Sequence, residues 1–354
     1  MLKSHFNIAH TETEVVEEEQ EQEVDVVEET EIPERSLNKS EISVRLSLLG
    51  KTAEGDGYTY LKCKITGLKM TRIDAIKGYR HLMFLDVSNN YLDINALQII
   101  TELPYLILIQ ADGNRLTSAG LKQMKYLQCI ICNNNQITSV NDVFQEQLST
   151  LELADNKITS VDFATKMPTL RVLDFRFNQI KDISNFNFPN LDSLYLAGNK
   201  ITTLAGLETC VNLRILHVRN NPIKLLNGFD EAHTKLQYIN LRNCKVGTLR
   251  QIKKLRVLTA LETLTLKGCP YFGGTGGEDD DDKDAKDEED DPQLRVEVLA
   301  VLPRLKRLNK DMITPEERQE CKELIATWAE EGEKEEEEEI EDEQMMEEAS
   351  AVED

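Results

Sequence analysis

Leu151-Glu152-Leu153-Ala154-Asp155-Asn156-Lys157-Ile158 returns as Leu194-Tyr195-Leu196-Ala197-Gly198-Asn199-Lys200-Ile201, with Leu, Leu, Asn and Ile held at the same places. Working outward from these two copies, the Asn position falls at Asn90, Asn114, Asn135, Asn156, Asn178, Asn199 and Asn221, and continues as Cys244 and Cys269. Successive copies are 21 to 25 residues apart. Such a register is an internal repeat, and a repeat of this period is the signature of a stacked architecture. A weaker copy, with Cys63, Ile65, Leu68 and Met70 in the corresponding slots, sits one period upstream of Asn90.

The pattern Leu-x-x-Leu-x-Leu-x-x-Asn-x-Leu is the leucine-rich repeat, and its chemistry explains its residues. In a short strand the side chains alternate, so the fixed leucines point inward while the residues between them face the other side of the sheet. The chain then bends where no ladder partner exists, and an Asn side chain can satisfy the backbone groups left there. A buried Cys offers a weak S–H donor, so Cys244 and Cys269 read as structural substitutes. No repeat buries its own apolar face, so neighbours share one core. The fold expected is an α/β leucine-rich-repeat solenoid, a curved horseshoe with a parallel sheet on its concave face. It would hold about ten repeats with helical caps, and ten strands at ~4.8 Å give a sheet of roughly 45 Å.

Such a stack needs closed ends. Asn38 with Glu41 reads as a capping box opening a short helix that carries Ile42, Leu46 and Leu49 and ends at Gly50. Near the other end Leu299, Leu302, Leu305 and Leu308 form a last apolar segment. Thr314-Pro315-Glu316-Glu317 then starts a helix on which Cys321, Leu324, Ile325 and Trp328 share one face and cover the final repeat, with Gly332 and the glutamates after it ending that packing. The organisation expected is an acidic disordered arm over 1–35, a solenoid over 36–312 with an acidic insertion at 272–292, a capping helix over 313–331 and an acidic tail over 332–354.

The chain has 354 residues and a formal charge of −23. That acidity is confined to appendages: residues 1–35, 272–292 and 329–354 hold 38 of the 64 acids and 5 of the 41 bases, leaving the body at net +10. Between Arg242 and Lys310, outside the insertion, 12 bases, among them Arg250, Lys253, Lys254, Arg256, Arg304, Lys306 and Arg307, face 2 acids. A basic end of this kind suits an acidic protein surface or nucleic acid. Few aromatics are interleaved with these bases, which disfavours single strands and leaves an acidic partner preferred, with the insertion as a competing ligand. Apolar runs such as Tyr105–Ile109 fall far short of the ~20 residues of a membrane span, and the N-terminus lacks a secretory apolar stretch. Seven irregularly spaced cysteines read as reduced thiols of a cytosolic compartment.

Candidate chemistry is sparse. His5 and His10 lie in the acidic arm, and His81, His217 and His233 fall in different repeats without a motif. Cys129 and Cys132 take an outward and an inward strand position, which argues against a metal or redox pair. Gly273 to Gly277 lacks the Lys-Ser/Thr ending of a phosphate loop. Asp279 to Asp282, Asp284 and Asp287 lack the Gly and terminal Glu spacing of a calcium loop, so a solvated loop is the better reading. The tail with Glu335 to Glu339 reads as disordered. No catalytic residue, cofactor, metal or small-molecule substrate is expected.

The outward columns are more informative. The first runs Phe84, Leu108, Cys129, Thr150, Val172, Ser193, Ile215, Tyr238 and Thr263; the second runs Asp86, Gln110, Ile131, Glu152, Asp174, Tyr195, His217, Asn240 and Thr265. A third column, just past the strand, includes Arg176, Arg219, Arg242 and Lys267. Seven apolar or aromatic residues in two adjacent columns exceed what a solvated face needs, and contiguous apolar surface marks protein contact. The protein-binding set expected is Phe84, Leu108, Ile131, Val172, Tyr195, Ile215 and Tyr238, with Arg176, Arg219 and Arg242 as charged contacts.

Several stretches resemble the radial-spoke leucine-rich-repeat family of cilia and flagella. They are Leu46-Ser47-Leu48-Leu49 with Lys51-Thr52, Tyr79, His81-Leu82, Asp86-Val87-Ser88, Ala111-Asp112-Gly113-Asn114-Arg115-Leu116 with Ser118-Ala119, and Leu236-Gln237-Tyr238-Ile239-Asn240-Leu241-Arg242. The likeness spans roughly residues 38–320. It implies a non-enzymatic axonemal scaffold, cytoplasmic before assembly, that binds other radial-spoke proteins and supports dynein-driven motility, with no membrane or nucleic-acid partner. Two other readings stay open: a regulatory subunit holding a phosphatase on its concave face, and an acidic nuclear protein of the histone-chaperone kind.

Overall fold

A computed structural model describes residues 32–277 and 290–330, and the described residues from Glu34 onward belong to one compact unit. The acidic arm through Glu31, the aspartates Asp279 to Asp287 and the tail after Glu330 lie outside the described residues.

One sheet of 13 strands runs in chain order. Its members are β1 (Leu46–Lys51), β2 (Tyr58–Lys64), β3 (Phe84–Asp86), β4 (Leu108–Gln110), β5 (Cys129–Ile131), β6 (Thr150–Glu152), β7 (Val172–Asp174), β8 (Ser193–Tyr195), β9 (Ile215–His217), β10 (Tyr238–Asn240), β11 (Thr263–Thr265), β12 (Arg307–Leu308) and β13 (Asp311–Met312). Strands β2 to β12 are all parallel, while β1 and β13 pair antiparallel at the two ends. The helices are α1 (Lys39–Ser43), α2 (Ile94–Leu97), α3 (Leu249–Lys253), α4 (Pro292–Val301) and α5 (Pro315–Glu330). The architecture is a leucine-rich-repeat solenoid with its parallel sheet on the concave side. Eleven parallel strands stand where ten were expected, because Arg307-Leu308 closes one more repeat after the acidic insertion.

The register explains the core. Leu85, Ile109, Ile130, Leu151, Leu173, Leu194, Leu216, Ile239 and Leu264 occupy the middle of successive strands, and every one is sealed from solvent. Each burial contributes about 1.5–3 kcal/mol, and the stack shares it continuously.

The turn after each strand rests on the Asn position. Asn156 Nδ2 donates to the carbonyls of Leu153 in its own repeat and Cys132 in the previous one, both at 3.0 Å, and its Oδ1 accepts the Ile137 amide at 3.0 Å. Cys244 Sγ donates to Val218 O at 3.3 Å and Cys269 Sγ to Leu241 O at 3.0 Å, the substitution expected of a weak donor. The residue just before this position is left-handed in every copy: Asn89, Gly113, Asn134, Asp155, Phe177, Gly198, Asn220, Asn243 and Gly268. Asn, Asp and Gly tolerate that conformation, and Phe177 is the exception.

The N-terminal cap differs from expectation. Asn38 and Glu41 do form the capping box, with Glu41 N–H on Asn38 Oδ1 at 2.9 Å and Asn38 N–H on Glu41 Oε2 at 3.1 Å, but α1 stops at Ser43. Leu46, Leu49 and Gly50 belong to β1, paired with β2. The helical spacing of Ile42, Leu46 and Leu49 loses to the free edge of the sheet, which a hairpin satisfies. Gly50 is no helix terminus: a Cβ there would collide with the Leu61 side chain.

At the other end Thr314 and Glu317 cap α5 reciprocally, with Thr314 N–H on Glu317 Oε2 at 2.7 Å and Glu317 N–H on Thr314 Oγ1 at 3.2 Å. Cys321 is buried and Leu324 and Trp328 pack against the core, but Ile325 is exposed, because the helix presents a narrower stripe than the sequence spacing implied.

Candidate protein-binding site on the concave face

Parallel pairing places the outward residues in columns. Phe84, Leu108, Cys129, Thr150, Val172, Ser193, Ile215, Tyr238 and Thr263 are partnered in register, as are Asp86, Gln110, Ile131, Glu152, Asp174, Tyr195, His217, Asn240 and Thr265. Phe84, Leu108, Ile131, Val172, Tyr195, Ile215 and Tyr238 are all half-buried. They form two groups rather than one. Phe84, Leu108 and Ile131 lie on β3 to β5, Val172, Tyr195, Ile215 and Tyr238 lie on β7 to β10, and β6 brings Thr150 and Glu152 between them.

The second group is built around a ring stack. Tyr195 and His217 have centroids 5.0 Å apart at 22°, and His217 and Tyr238 are 4.8 Å apart at 33°. These distances follow from the ~4.8 Å spacing of neighbouring strands. The Arg176 guanidinium stands 5.7 Å from the Tyr195 centroid, a cation–π arrangement. An open groove of about 460 Å³ beside the stack is lined by Arg214, Ile215, His217, Gln237, Tyr238, Glu262 and Thr263. His217 and Arg214 were not in the expected set. His217 stands in the second column, and only its two tyrosine neighbours one strand away on either side could have marked it.

The charged contacts are not equivalent. Arg176 is engaged with Asp174, Nη2 lying 2.6 Å from Oδ2, and Arg214 with Asp192 at 2.8 Å. Arg219 and Arg242 are half-buried and make no ion pair among the described residues. The opposite half of the face is acidic. Asp174 on one side and Asp112 on the other act on Glu152, and burial, then Asp174, pushes the Glu152 carboxyl above its ordinary value. Burial first, and Arg176 and Arg219 after it, push the His217 imidazole below its ordinary value.

Elsewhere the chemistry is structural. Cys129 is half-buried and faces outward, its thiol pushed up to about 11 by burial, whereas Cys132 is sealed in the core. His233 is buried with Nε2 3.1 Å from Leu207 O, and His81 stacks on Tyr105 away from the concave columns. Among the described residues no cluster of His, Cys, Asp or Glu could hold a metal ion, and no helix is long and apolar enough to cross a membrane. Gly273, Gly276 and Gly277 are left-handed turn residues.

The family model described as Leucine Rich repeats (2 copies) matches residues 146–187 and 189–231. Among solved structures, an internalin from Listeria monocytogenes aligns with a TM-score of 0.49 at 17% identity, covering 76% of this chain and 88% of that one. Human leucine-rich repeat-containing protein 23 is 34% identical over 293 residues, 82% of this chain and 80% of the relative. The bovine protein of the same name is 35% identical over 282 residues, 79% and 77% of the two chains. With identity at this level spread over most of both chains, the protein belongs to the leucine-rich repeat-containing protein 23 family.

Proposed function

We propose that the chain is a non-enzymatic scaffold of the axonemal radial spoke, which holds other spoke proteins on its concave face and supports ciliary and flagellar motility. The observation that carries the binding role is the half-buried stack Tyr195, His217 and Tyr238 with Arg219 and Arg242 beside it, which make no ion pair among the described residues. An open apolar and cationic face of this kind gains free energy when covered. The spoke assignment rests on the family's likeness in the Ser-Leu-Leu entry and the Ala-Asp-Gly-Asn-Arg-Leu repeat. In this reading the chain has no catalytic residues and no cofactor, and resides in the cytoplasm until assembly.

The test is localisation of a tagged chain in ciliated cells, followed by fractionation of isolated axonemes. Enrichment with spoke components is expected. An even cytoplasmic or nuclear signal, with none in the axoneme, overturns the spoke assignment. Recovery of a phosphatase without spoke proteins replaces it with a regulatory-subunit role.

A further inference from the structure

The concave face is electrically polar along the direction that crosses its strands. At one side Asp112 follows β4, Glu152 ends β6 and Asp174 ends β7; at the other Arg219 follows β9 and Arg242 follows β10. Asp174 is answered by Arg176, but Glu152, Arg219 and Arg242 have no opposite charge bonded to them among the described residues. All three are half-buried, so each bears a desolvation cost that an incoming counter-charge would relieve. Between these ends lie Val172, Tyr195, Ile215, His217 and Tyr238, an apolar and aromatic floor.

We propose that the concave face receives an amphipathic helix of a protein partner, laid across the strands with its acidic N-terminal end over Arg219 and Arg242 and its basic C-terminal end over Glu152. This rests on the reading of the concave face as the partner-binding surface, and adds the partner's chemistry and direction. Three arguments select it. Every strand from β2 to β12 is paired on both sides, so the face offers no free ladder edge and an incoming segment must satisfy its own backbone, as a helix does. Acids at the N-terminus and bases at the C-terminus also suit a helix's own dipole, which fixes the direction once the two charged ends are known. Finally, Glu152 and the arginines are three to four strands apart. At ~4.8 Å per strand that is about 14–19 Å, and at 1.5 Å rise it corresponds to about 10–13 residues of helix, three turns of a single apolar stripe.

The experiment uses the full chain and two synthetic stapled helical peptides of equal composition and equal apolar stripe. One carries glutamates in its first turn and lysines in its last; the other has these ends exchanged. Binding is read by fluorescence anisotropy at low and moderate salt. The acid-first peptide is expected to bind at least about tenfold tighter, with the margin shrinking as salt rises. The triple variant Glu152→Lys, Arg219→Glu, Arg242→Glu should reverse that preference. Because the variant's fold could suffer, a second readout uses the unaltered chain: the His217 ring signal in NMR should titrate at higher pH with the acid-first peptide bound and not with the other. Equal affinity for the two peptides, binding of neither, or an unmoved His217 titration overturns the proposal. The concave-face reading is judged separately: it fails if axonemal partners bind a Tyr195→Ala, Tyr238→Ala chain as well as the unaltered one, whatever the two peptides do.

Discussion

Arg295 Nε donates to Glu317 Oε1 at 2.6 Å, and this bond fastens α5 to α4. Arg295 also reaches Asp290 at 3.2 Å and the Leu308 carbonyl at 3.2 Å, so the last parallel strand, β12, and both terminal helices meet on one nearly buried guanidinium. Burial raises the Glu317 carboxyl, but the Arg295 and Thr314 hydrogen bonds outweigh it and hold the group below its ordinary value of 4.5. A carboxyl depressed in the fold contributes stability that is complete above its unfolded value and is lost as pH falls through its folded one. Acidification below pH 4.5 should therefore loosen α5 before the repeats unfold. The chain's one tryptophan, Trp328, sits on that helix and packs against the core, so its emission should shift to the red in that window. Glu317→Gln should show the shifted emission already at neutral pH, and Arg295→Ala should cost about 3 kcal/mol by leaving a carboxylate unpaired. An emission maximum that moves only with global unfolding would count against the clamp.

Asn156 satisfies three backbone groups at once. Asn156→Ala leaves the Ile137 amide without its acceptor in a buried turn, while the Cys132 and Leu153 carbonyls keep the Asn135 and Asn178 donors, and should destabilise the solenoid by about 1–3 kcal/mol, read by urea denaturation. Asn156→Cys keeps a donor toward the previous repeat, as Cys244 and Cys269 do, and should cost less than the alanine. Equal losses would remove the thiol's role as a substitute.

Phe177 holds φ +54, where the other copies place Asn, Asp or Gly. Its ring lies over Gly198, where a Cβ would collide with it, and is 42% exposed, so its packing only partly offsets the strain. Phe177→Asn should raise stability by about 1 kcal/mol. A lower thermal midpoint in the variant would mean that the ring's contact with Gly198 matters more than the backbone.

The repeat was legible because one residue of it, the Asn, has a backbone role that few side chains can fill, and because the period of two fixes which leucines turn inward. The concave columns followed from the same two rules. What escaped were features set by the ends and by contacts between repeats. Leu46 and Leu49 have helical spacing from Ile42, yet the unpaired edge of β2 recruits them into a hairpin. Arg307-Leu308 is too short to announce a strand, and pairing with β11 on one side and β13 on the other makes it one. His217 joins the ring stack because Tyr195 and Tyr238 lie one strand away on either side, a relation spread over 43 residues of sequence.

The His217 imidazole is held below its ordinary value of 6.5, by burial first and then by Arg176 and Arg219. Below pH 6.5 the unfolded chain therefore takes up a proton that the fold resists, so stability should fall as pH drops from 6.5 toward the folded value and rise with pH across the same window. His217→Gln should flatten that part of the stability profile. A variant with an unchanged slope would assign the dependence to another group.

Tyr195 and Tyr238 flank His217 from opposite sides, and both are half-buried on the outward face of the sheet. Truncating them should consequently separate binding from folding. The sheet keeps Leu194 and Ile239 sealed beneath the two positions, so Tyr195→Ala with Tyr238→Ala should leave the circular dichroism spectrum unchanged and lower stability by only about 1–2 kcal/mol, the loss of two ring contacts. Partner affinity should fall much further, by about tenfold or more, because aromatic anchors at the centre of a covered patch carry a large share of binding energy. A matched control, Phe84→Ala with Leu108→Ala, removes apolar area from the other group on β3 and β4, beyond the acidic β6. If the control weakens capture of axonemal partners as much as the tyrosine pair does, the partner spans the whole concave face. If only the tyrosine pair matters, the contact is confined to β7 to β10, and the arginines beside it set its charge.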